Sequence, residues 1–299
     1  MKKASAILAS DFHIRETTPE CRTEPEFQEA QWGKLDFISD LQKEHDCPVL
    51  HGGDLFHHWK PSPWLISKTI KHLPNQFYTI YGQHDLPAHS LQDQDKSGIY
   101  ALAAAKALTI LPGAHWGQDP EEPSIRMHTT TGALTVSKLI EQRKILVWHK
   151  MNYQGQKPYP GCVDPRAGGI LRKYSQFNLI LTGDNHKPFV EEHGSKILVN
   201  PGSLMRQSAD QIDHKPRVYL YYADENRVEP VFIPIKADVV SRTHIERNEQ
   251  RDGRIGAFID RVDGDWVAGM SFESNLEEFL KINQIRTSVK DIIYKAIET

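Results

Sequence analysis

The sequence predicts an α/β protein, and three observations carry that reading. Short apolar runs alternate with longer helix-patterned stretches over the first two-thirds of the chain. Five of these runs stop abruptly at Asp, His or amide residues. A pair of longer strand-like runs with a polar turn between them follows the alternation. With 299 residues the chain can bury a full core, as one large domain or two unequal ones.

Taken in order, Ala6-Ile7-Leu8-Ala9 predicts the first strand and runs straight into Asp11-Phe12-His13. Met1-Lys2-Lys3 and this run faintly resemble a secretory leader, but the run is too short and meets Asp11 and His13 at once. Phe37-Ile38-Ser39-Asp40-Leu41 lies in a predicted helix before a second strand, Pro48-Val49-Leu50, which leads to Gly53-Asp54. A helix is predicted over Pro63 to His72. Tyr78-Thr79-Ile80-Tyr81 predicts the third strand, leading to Gly82-Gln83-His84-Asp85, and the alanine-rich stretch Ser97 to Ala107 predicts the next helix. Ile145-Leu146-Val147 precedes Trp148-His149, and Leu179-Ile180-Leu181 precedes Gly183-Asp184-Asn185-His186. Lys196 to Val199 ends at the turn Asn200-Pro201-Gly202-Ser203. Arg217 to Tyr222 and Val228 to Ile233 predict a β-hairpin around Ala223 to Arg227.

After about Ile235 the texture changes, so residues 1–236 are expected to form the core and 237–299 a separate, partly helical segment. Asn275 and Ser288 precede acidic first turns in the manner of capping boxes. Ile292, Ile293 and Ile297 are expected to share one stripe. The segment reads either as a small appendage on the core or as a docking surface.

The formal net charge is −3, which excludes a uniformly basic nucleic-acid coat. A DNA-active enzyme stays open, because a local basic face or bound cations can neutralise phosphate. Cys21, Cys47 and Cys162 are odd in number and widely spaced, which argues against a disulfide framework and for a reducing compartment. No segment approaches the ~20 apolar residues of a membrane span, so a cytoplasmic protein without membrane contact is expected.

The chemistry lies in the five strand-end motifs. Asp11 and His13 are two apart, so an extended segment would point both at one ion. Two glycines before Asp54 let the backbone bring its carboxylate close. Strand ends converging on one sheet edge would gather Asp, His and amide donors into a metal site suited to phosphate ester hydrolysis. His51 reads as structural. His58 reads equally as a substrate contact or a solvated histidine. Trp59 and Trp64 read as helix packing before base stacking. The loop from Tyr153 to Pro165 is open between a substrate-facing and an ordinary surface role.

The order of the motifs resembles the calcineurin-like metallophosphoesterase superfamily, whose pattern is D-x-H, G-D, G-N-H-D/E, H and G-H-x-H. The resemblance covers about residues 5 to 235. Within that superfamily, Gly53-Asp54-Leu55-Phe56-His57 and Lys60-Pro61-Ser62 are similar to SbcD-type DNA repair and recombination nucleases of bacteria and phages. The resemblance implies a four-layer αββα sandwich with a small C-terminal helical appendage. It implies two divalent ions: Asp11, His13, Asp54 and His186 would hold the first. Asp54 would bridge, and Gln83, His149 and Asp184 would complete the second. His84 would serve the leaving group, with Asp85 fixing its tautomer, and His57 would sit near the scissile phosphate.

Two positions depart from the pattern: Gln83 stands where the family has Asn, and Asp184 where it has the first His of G-H-x-H. Trading an imidazole for a carboxylate favours Mn²⁺ or Mg²⁺ over Zn²⁺. The implied function is hydrolysis of DNA by in-line attack of an activated water, as the nuclease subunit of a complex with an SbcC-like ATPase. A homodimer stays open. The alternatives are a stand-alone phosphoesterase acting on nucleotides or small esters, and a non-catalytic scaffold with a degenerate metal site.

Overall fold

The computed structural model describes residues 2–112, 115, 117–120, 125–128, 134–135, 142–243, 245 and 272–297. The chain divides into two compact units, Met1–Ser241 and Arg242–Thr299. Residues 237–241 stay with the first unit: Val239 and Val240 are buried with Cys21 and Ala209, and Ser241 donates its N–H to the Cys21 carbonyl.

The first unit holds two six-stranded sheets. In chain order its described elements are β1 (Ala6–Ala9), α1 (Phe27–His45), β2 (Val49–His51), α2 (Pro63–His72), β3 (Phe77–Thr79), α3 (Gly98–Ala104), β4 (Thr109–Ile110), β5 (Ile125–His128), β6 (Leu134–Thr135), β7 (Gln142–His149), α4 (Ala167–Lys173), β8 (Leu179–Gly183), β9 (Phe189–His193), β10 (Lys196–Asn200), β11 (Arg217–Tyr222) and β12 (Arg227–Phe232). One sheet runs β12-β11-β1-β2-β3-β4 and the other β6-β5-β7-β8-β10-β9. β1, β2, β3 and β4 are parallel, as are β7, β8 and β10.

The period-2 alternation of the strands makes four layers. Ala6 and Leu8 of β1 face Ile145 and Val147 of β7 and Leu179 and Leu181 of β8 in a core between the sheets. Ile7 and Ala9 point the other way, onto α1 through Phe27, Leu35 and Ile38. Leu146 and Trp148 leave the opposite face of the second sheet and pack on Ile170 and Leu171 of α4. The expected αββα sandwich is therefore present, with helices outside and two sheets inside. Hydrophobic burial of this kind contributes about 25 cal/mol per Å² of apolar surface removed from water.

Local chemistry sets the helices. Ser62 caps α2 by accepting the Leu65 N–H, with Pro63 in the first turn, and Ser97 caps α3 by accepting the Tyr100 N–H. α1 buries Phe27, Gln31, Lys34, Leu35, Ile38, Gln42 and His45, a helical stripe, and ends at Asp46 in the left-handed conformation. The three cysteines are free and buried. Among the described residues no helix is long and apolar enough to cross a membrane.

The second unit contains α5 (Phe272–Ile282) and α6 (Thr287–Ile297). Both expected helices exist, but the capping positions are corrected. Asn275 lies inside α5, and Ser288 follows the first residue of α6. The expected isoleucine stripe is also corrected: Ile292 is 68% exposed, and the packed side chains are Leu276, Phe279 and Leu280 with Ile285 and Ile293. Ile293 therefore packs in the cluster and Ile292, about 100° round the helix, faces outward. The side chain of Ile297 lies outside the described set.

Candidate metal centre

The five motifs follow the carboxyl ends of parallel strands, where α/β sheets open their ligand crevice. Asp11 and His13 follow β1, Asp54 follows β2, Gln83 and His84 follow β3, His149 ends β7, and Asp184 and His186 follow β8. Asp11 and His13 do face one place, but not through an extended segment. Both have positive φ, 52° and 46°, and Phe12 between them turns into the core against His51. Asp54 and Asp184 also have positive φ, 58° and 78°. Four non-glycine residues in this conformation, each of order 1 kcal/mol or more, mark a backbone bent to aim side chains.

Gly53 has φ 96°, and a Cβ there would meet His149 Nδ1 at 2.6 Å. At Gly82 a Cβ would meet Asp54 Oδ1 at 2.1 Å. The glycines thus let the strand ends close around the two side chains.

The donor atoms gather. Nε2 atoms of His13 and His186 are 3.0 Å apart. Asp54 Oδ2 lies 3.6 Å from His13 Nε2 and 3.5 Å from His149 Nε2, between the two halves of the cluster. Asp11, His13 and His186 form one group whose ligand atoms lie within 4.8 Å of one another, and Asp11, Asp54 and His149 form a second. His13, His57 and His84 form a third.

Each side chain is held by a partner that leaves one atom free. His149 Nδ1 is 2.7 Å from the Gly52 carbonyl, so Nδ1 carries the proton and Nε2 faces Asp54 with a lone pair or a second proton. Asp11 Oδ1 accepts the Asp184 N–H at 3.0 Å, and Asp54 Oδ1 accepts the His84 N–H at 2.9 Å. Asp11 Oδ2, Asp54 Oδ2, Gln83 Oε1 and His149 Nε2 are buried and take part in no hydrogen bond. Buried atoms of this kind are costly unless they coordinate something. The oxygen and imidazole donor set suits a divalent cation.

The electrostatics agree. Burial pushes Asp11 up, and burial drives His13 well below the usual imidazole value. At Asp54 burial acts upward but is outweighed by His149 and the other histidines, which hold the carboxylate ionised. At His149 burial acts downward but Asp54, joined by Asp11 and Asp184, outweighs it and raises the pKa to about 10.

The two departures from the family pattern touch each other. Gln83 Nε2 donates to Asp184 Oδ1 at 2.7 Å, which turns Gln83 Oε1 out as a free acceptor. A histidine at 184 would place no carboxylate there to receive the amide.

His84 Nδ1 is 3.0 Å from the His57 carbonyl, so its ring proton is fixed by His57 and Nε2 is left for the crevice. The expected role of Asp85 is therefore corrected. Its carboxylate accepts the backbone N–H groups of Asp54, Leu55, Phe56 and Gly82, and it tethers the Asp54 loop instead of orienting His84. His57 is half-buried and stacks on His84 at 5.5 Å; burial, with Arg15 and His84 adding, lowers it to about 4, so it is neutral at pH 7. His51 is structural, with Nδ1 on Thr79 Oγ1 and the Gly53 N–H.

Residues that the motifs did not single out complete the crevice. Gln207 donates to the His13 carbonyl, and Arg15, Met205 and Gln207 line a cavity of about 280 Å³ with His57 and His84. Arg15 follows His13 by two residues, the one sequence signal that could have marked it. Asn200 donates to the carbonyls of Asn185 and Lys187, and Ser203 N–H to the His186 carbonyl, so the Asn-Pro-Gly-Ser turn braces the last motif.

A two-sheet sandwich with carboxylates, imidazoles and an amide at its parallel strand ends defines a protein with a candidate divalent-metal centre. The profile of the calcineurin-like phosphoesterase superfamily domain matches residues 5–221, and the chain belongs to that superfamily. No curated protein sequence is detectably similar to the chain. Among solved structures, a novel archaeal phosphodiesterase aligns at 11% identity and TM-score 0.42, over 76% of this chain and 99% of its own. Wild-type Vps29 from Entamoeba histolytica complexed with zinc aligns at 14% identity and TM-score 0.35, over 76% and 97%. Vps29 from Cryptosporidium parvum aligns at 17% identity and TM-score 0.34, over 77% and 97%.

Proposed function

We propose that the chain is a metal-dependent phosphodiesterase that hydrolyses DNA, the nuclease subunit of an SbcD–SbcC-like complex. The observation that carries the reading is a set of buried, unpaired ligand atoms in a crevice that opens on two sides of His186. One side is the 280 Å³ cavity with Arg15, His57 and His84; the other, about 470 Å³, holds Lys187, Lys215 and Arg217. Both cavities share His186, Ser208 and Gln211. A diester with a substituent on each side of phosphorus fits such an opening better than a monoester with one. The similarity of Gly53 to His57 and of Lys60 to Ser62 to SbcD-type nucleases supports DNA as the substrate.

Asp11, His13, Asp54, Gln83, His149, Asp184 and His186 would hold two divalent ions, with Mn²⁺ favoured and Mg²⁺ accepted. Bound ions of this kind lower the pKa of water and offset charge on phosphate oxygens. The protein residues do the rest. His84, with Nδ1–H fixed on the His57 carbonyl, can as an imidazolium donate its Nε2 proton to the departing oxygen. Neutral His57 donates one hydrogen bond to a non-bridging oxygen, and Arg15 adds a charged donor at the cavity wall. Asp85 and Asn200 hold the loops that carry these groups. The C-terminal unit, 242–299, is the part we assign to docking an SbcC-like ATPase. A role in DNA repair or recombination, in a bacterial or phage-infected cytoplasm, follows from that assignment.

The test is cleavage of single- and double-stranded DNA by the purified chain with Mn²⁺, beside mononucleotide and small phosphomonoester substrates. Release of nucleotides or shortened strands from DNA supports the proposal. Turnover confined to the small substrates would replace it with the stand-alone phosphoesterase.

A further inference from the structure

A second cavity, of about 320 Å³, lies against α1 on the far side of the Ser203 to Gln207 segment. Successive side chains of that segment face opposite ways: Met205 and Gln207 line the cavity at the candidate metal centre, and Arg206 lines this one. Lys34 of α1 and Arg206 reach into it, only 7% and 6% exposed. Arg22 and Lys236 join them, and the apolar walls include Phe37 and Ile233.

Among the described residues, Lys34 and Arg206 have no carboxylate partner. Lys34 Nζ donates one long hydrogen bond, 3.3 Å, to the Pro234 carbonyl, and no carboxylate among the described residues lies within ion-pairing distance of it. Arg206 donates to the carbonyls of Ile212 and Lys236, two of its five N–H groups. The single carboxylate in the lining, Glu24, is already paired with Arg22. Burying the Lys34 ammonium beside the unpaired Arg206 guanidinium is expensive. Burial, with Arg206 and Arg22 adding repulsion, accordingly lowers Lys34 to about 7.

We propose that this cavity is a phosphate-binding site, in which Lys34 and Arg206 grip the oxyanion of free phosphate or of a small organic phosphate ester whose body lies on Phe37 and Ile233. Two open donors on Lys34 and three on Arg206 suit a tetrahedral oxyanion, and the planar guanidinium gives a paired contact. The volume exceeds what one phosphate fills, which leaves room for an attached ring or chain. Because Arg206 and its neighbours form the common wall, occupancy would be felt at Met205 and Gln207.

The test is thermal melting of the full-length chain, with and without chelator, titrated with inorganic phosphate and separately with thymidine monophosphate. A saturable rise in Tm of about 5 °C that survives chelation supports the site. Preference for the nucleotide over phosphate assigns the organic ester as its occupant, and the reverse assigns free phosphate. Lys34→Met should abolish the rise. Gly33→Glu is the variant least disturbing to folding, because nothing lies within 4 Å of a Cβ there and residue 33 is exposed. Its carboxylate would compete for the same cations and abolish the rise as well. A rise that is absent in the wild type, linear without saturation as for a salt excluded from the surface, lost on chelation, or unchanged in Gly33→Glu would overturn the proposal.

Discussion

The contact between Gln83 and Asp184 makes a quantitative prediction about the metal centre. The amide-to-carboxylate hydrogen bond is 2.7 Å, and it frees the buried Gln83 Oε1 to act as a ligand. Gln83→Asn shortens the side chain by one methylene and breaks that bond. Asp184→His removes the acceptor and leaves the longer amide misdirected. A hydrogen bond to a charged group contributes about 1.5–3 kcal/mol, so each single variant should lose roughly 10- to 150-fold in affinity for the ion this pair helps to hold. The double variant Gln83→Asn/Asp184→His restores the pair found in the wider superfamily and should recover most of the loss. Coupling of about 1.5 kcal/mol or more is therefore expected in a double-mutant cycle. The assay is titration calorimetry with Mn²⁺, followed by turnover of a chromogenic phosphodiester. Additive losses, within about 0.5 kcal/mol, would refute the reasoning and make the two residues independent.

Further predictions follow from single contacts. His84→Ala should keep its metal content but lose about 10²–10⁴-fold in kcat, the range for a general acid; unchanged kcat would remove His84 from the mechanism. In the metal-free protein His149, raised to about 10, is protonated at pH 7. Coordination needs the Nε2 lone pair, so metal binding should release about one proton and weaken as pH falls. Calorimetry in buffers of different ionisation heat reads the proton directly, and no release would contradict the assignment. Asp85→Ala strips four buried N–H groups of their acceptor. At about 1–3 kcal/mol for each unsatisfied group, the loss should exceed about 3 kcal/mol and lower Tm by at least roughly 6 °C; a shift of 2 °C or less would mean that the loop is held by other contacts.

The sequence revealed what depends on local pattern and hid what depends on assembly. Strands β1, β7 and β8 are buried on both faces and read as continuous apolar runs. The α2 helix carries its cap and proline in the sequence and was legible to the residue. Edge strands such as β4 and β9 were not, since two residues at Thr109–Ile110 and the polar Phe189–His193 carry no periodic signal. The side chains gathered at the centre were nameable from motif order. The geometry that gathers them was not: left-handed backbone at Asp11 and His13 replaces the expected extended pair. Asp85 shows the same limit. Its place beside His84 in the chain suggested a catalytic partner, whereas the fold brings four backbone amides to it from the neighbouring strand end and its own loop. The mutual contact of Gln83 and Asp184, about a hundred residues apart in sequence, was equally invisible, and the two substitutions read as separate departures from the family pattern.

The central claim is that the five strand-end motifs form one metal-dependent centre for phosphodiester hydrolysis, and the direct measurement joins metal content to turnover. Wild-type chain and Asp54→Ala would be loaded with Mn²⁺, freed of excess metal, analysed for bound ion and assayed on bis(4-nitrophenyl) phosphate. The account predicts bound Mn²⁺ and turnover in the wild type, with both lost in Asp54→Ala. A wild type that takes up no metal, or an Asp54→Ala variant that turns over at the wild-type rate, would contradict it.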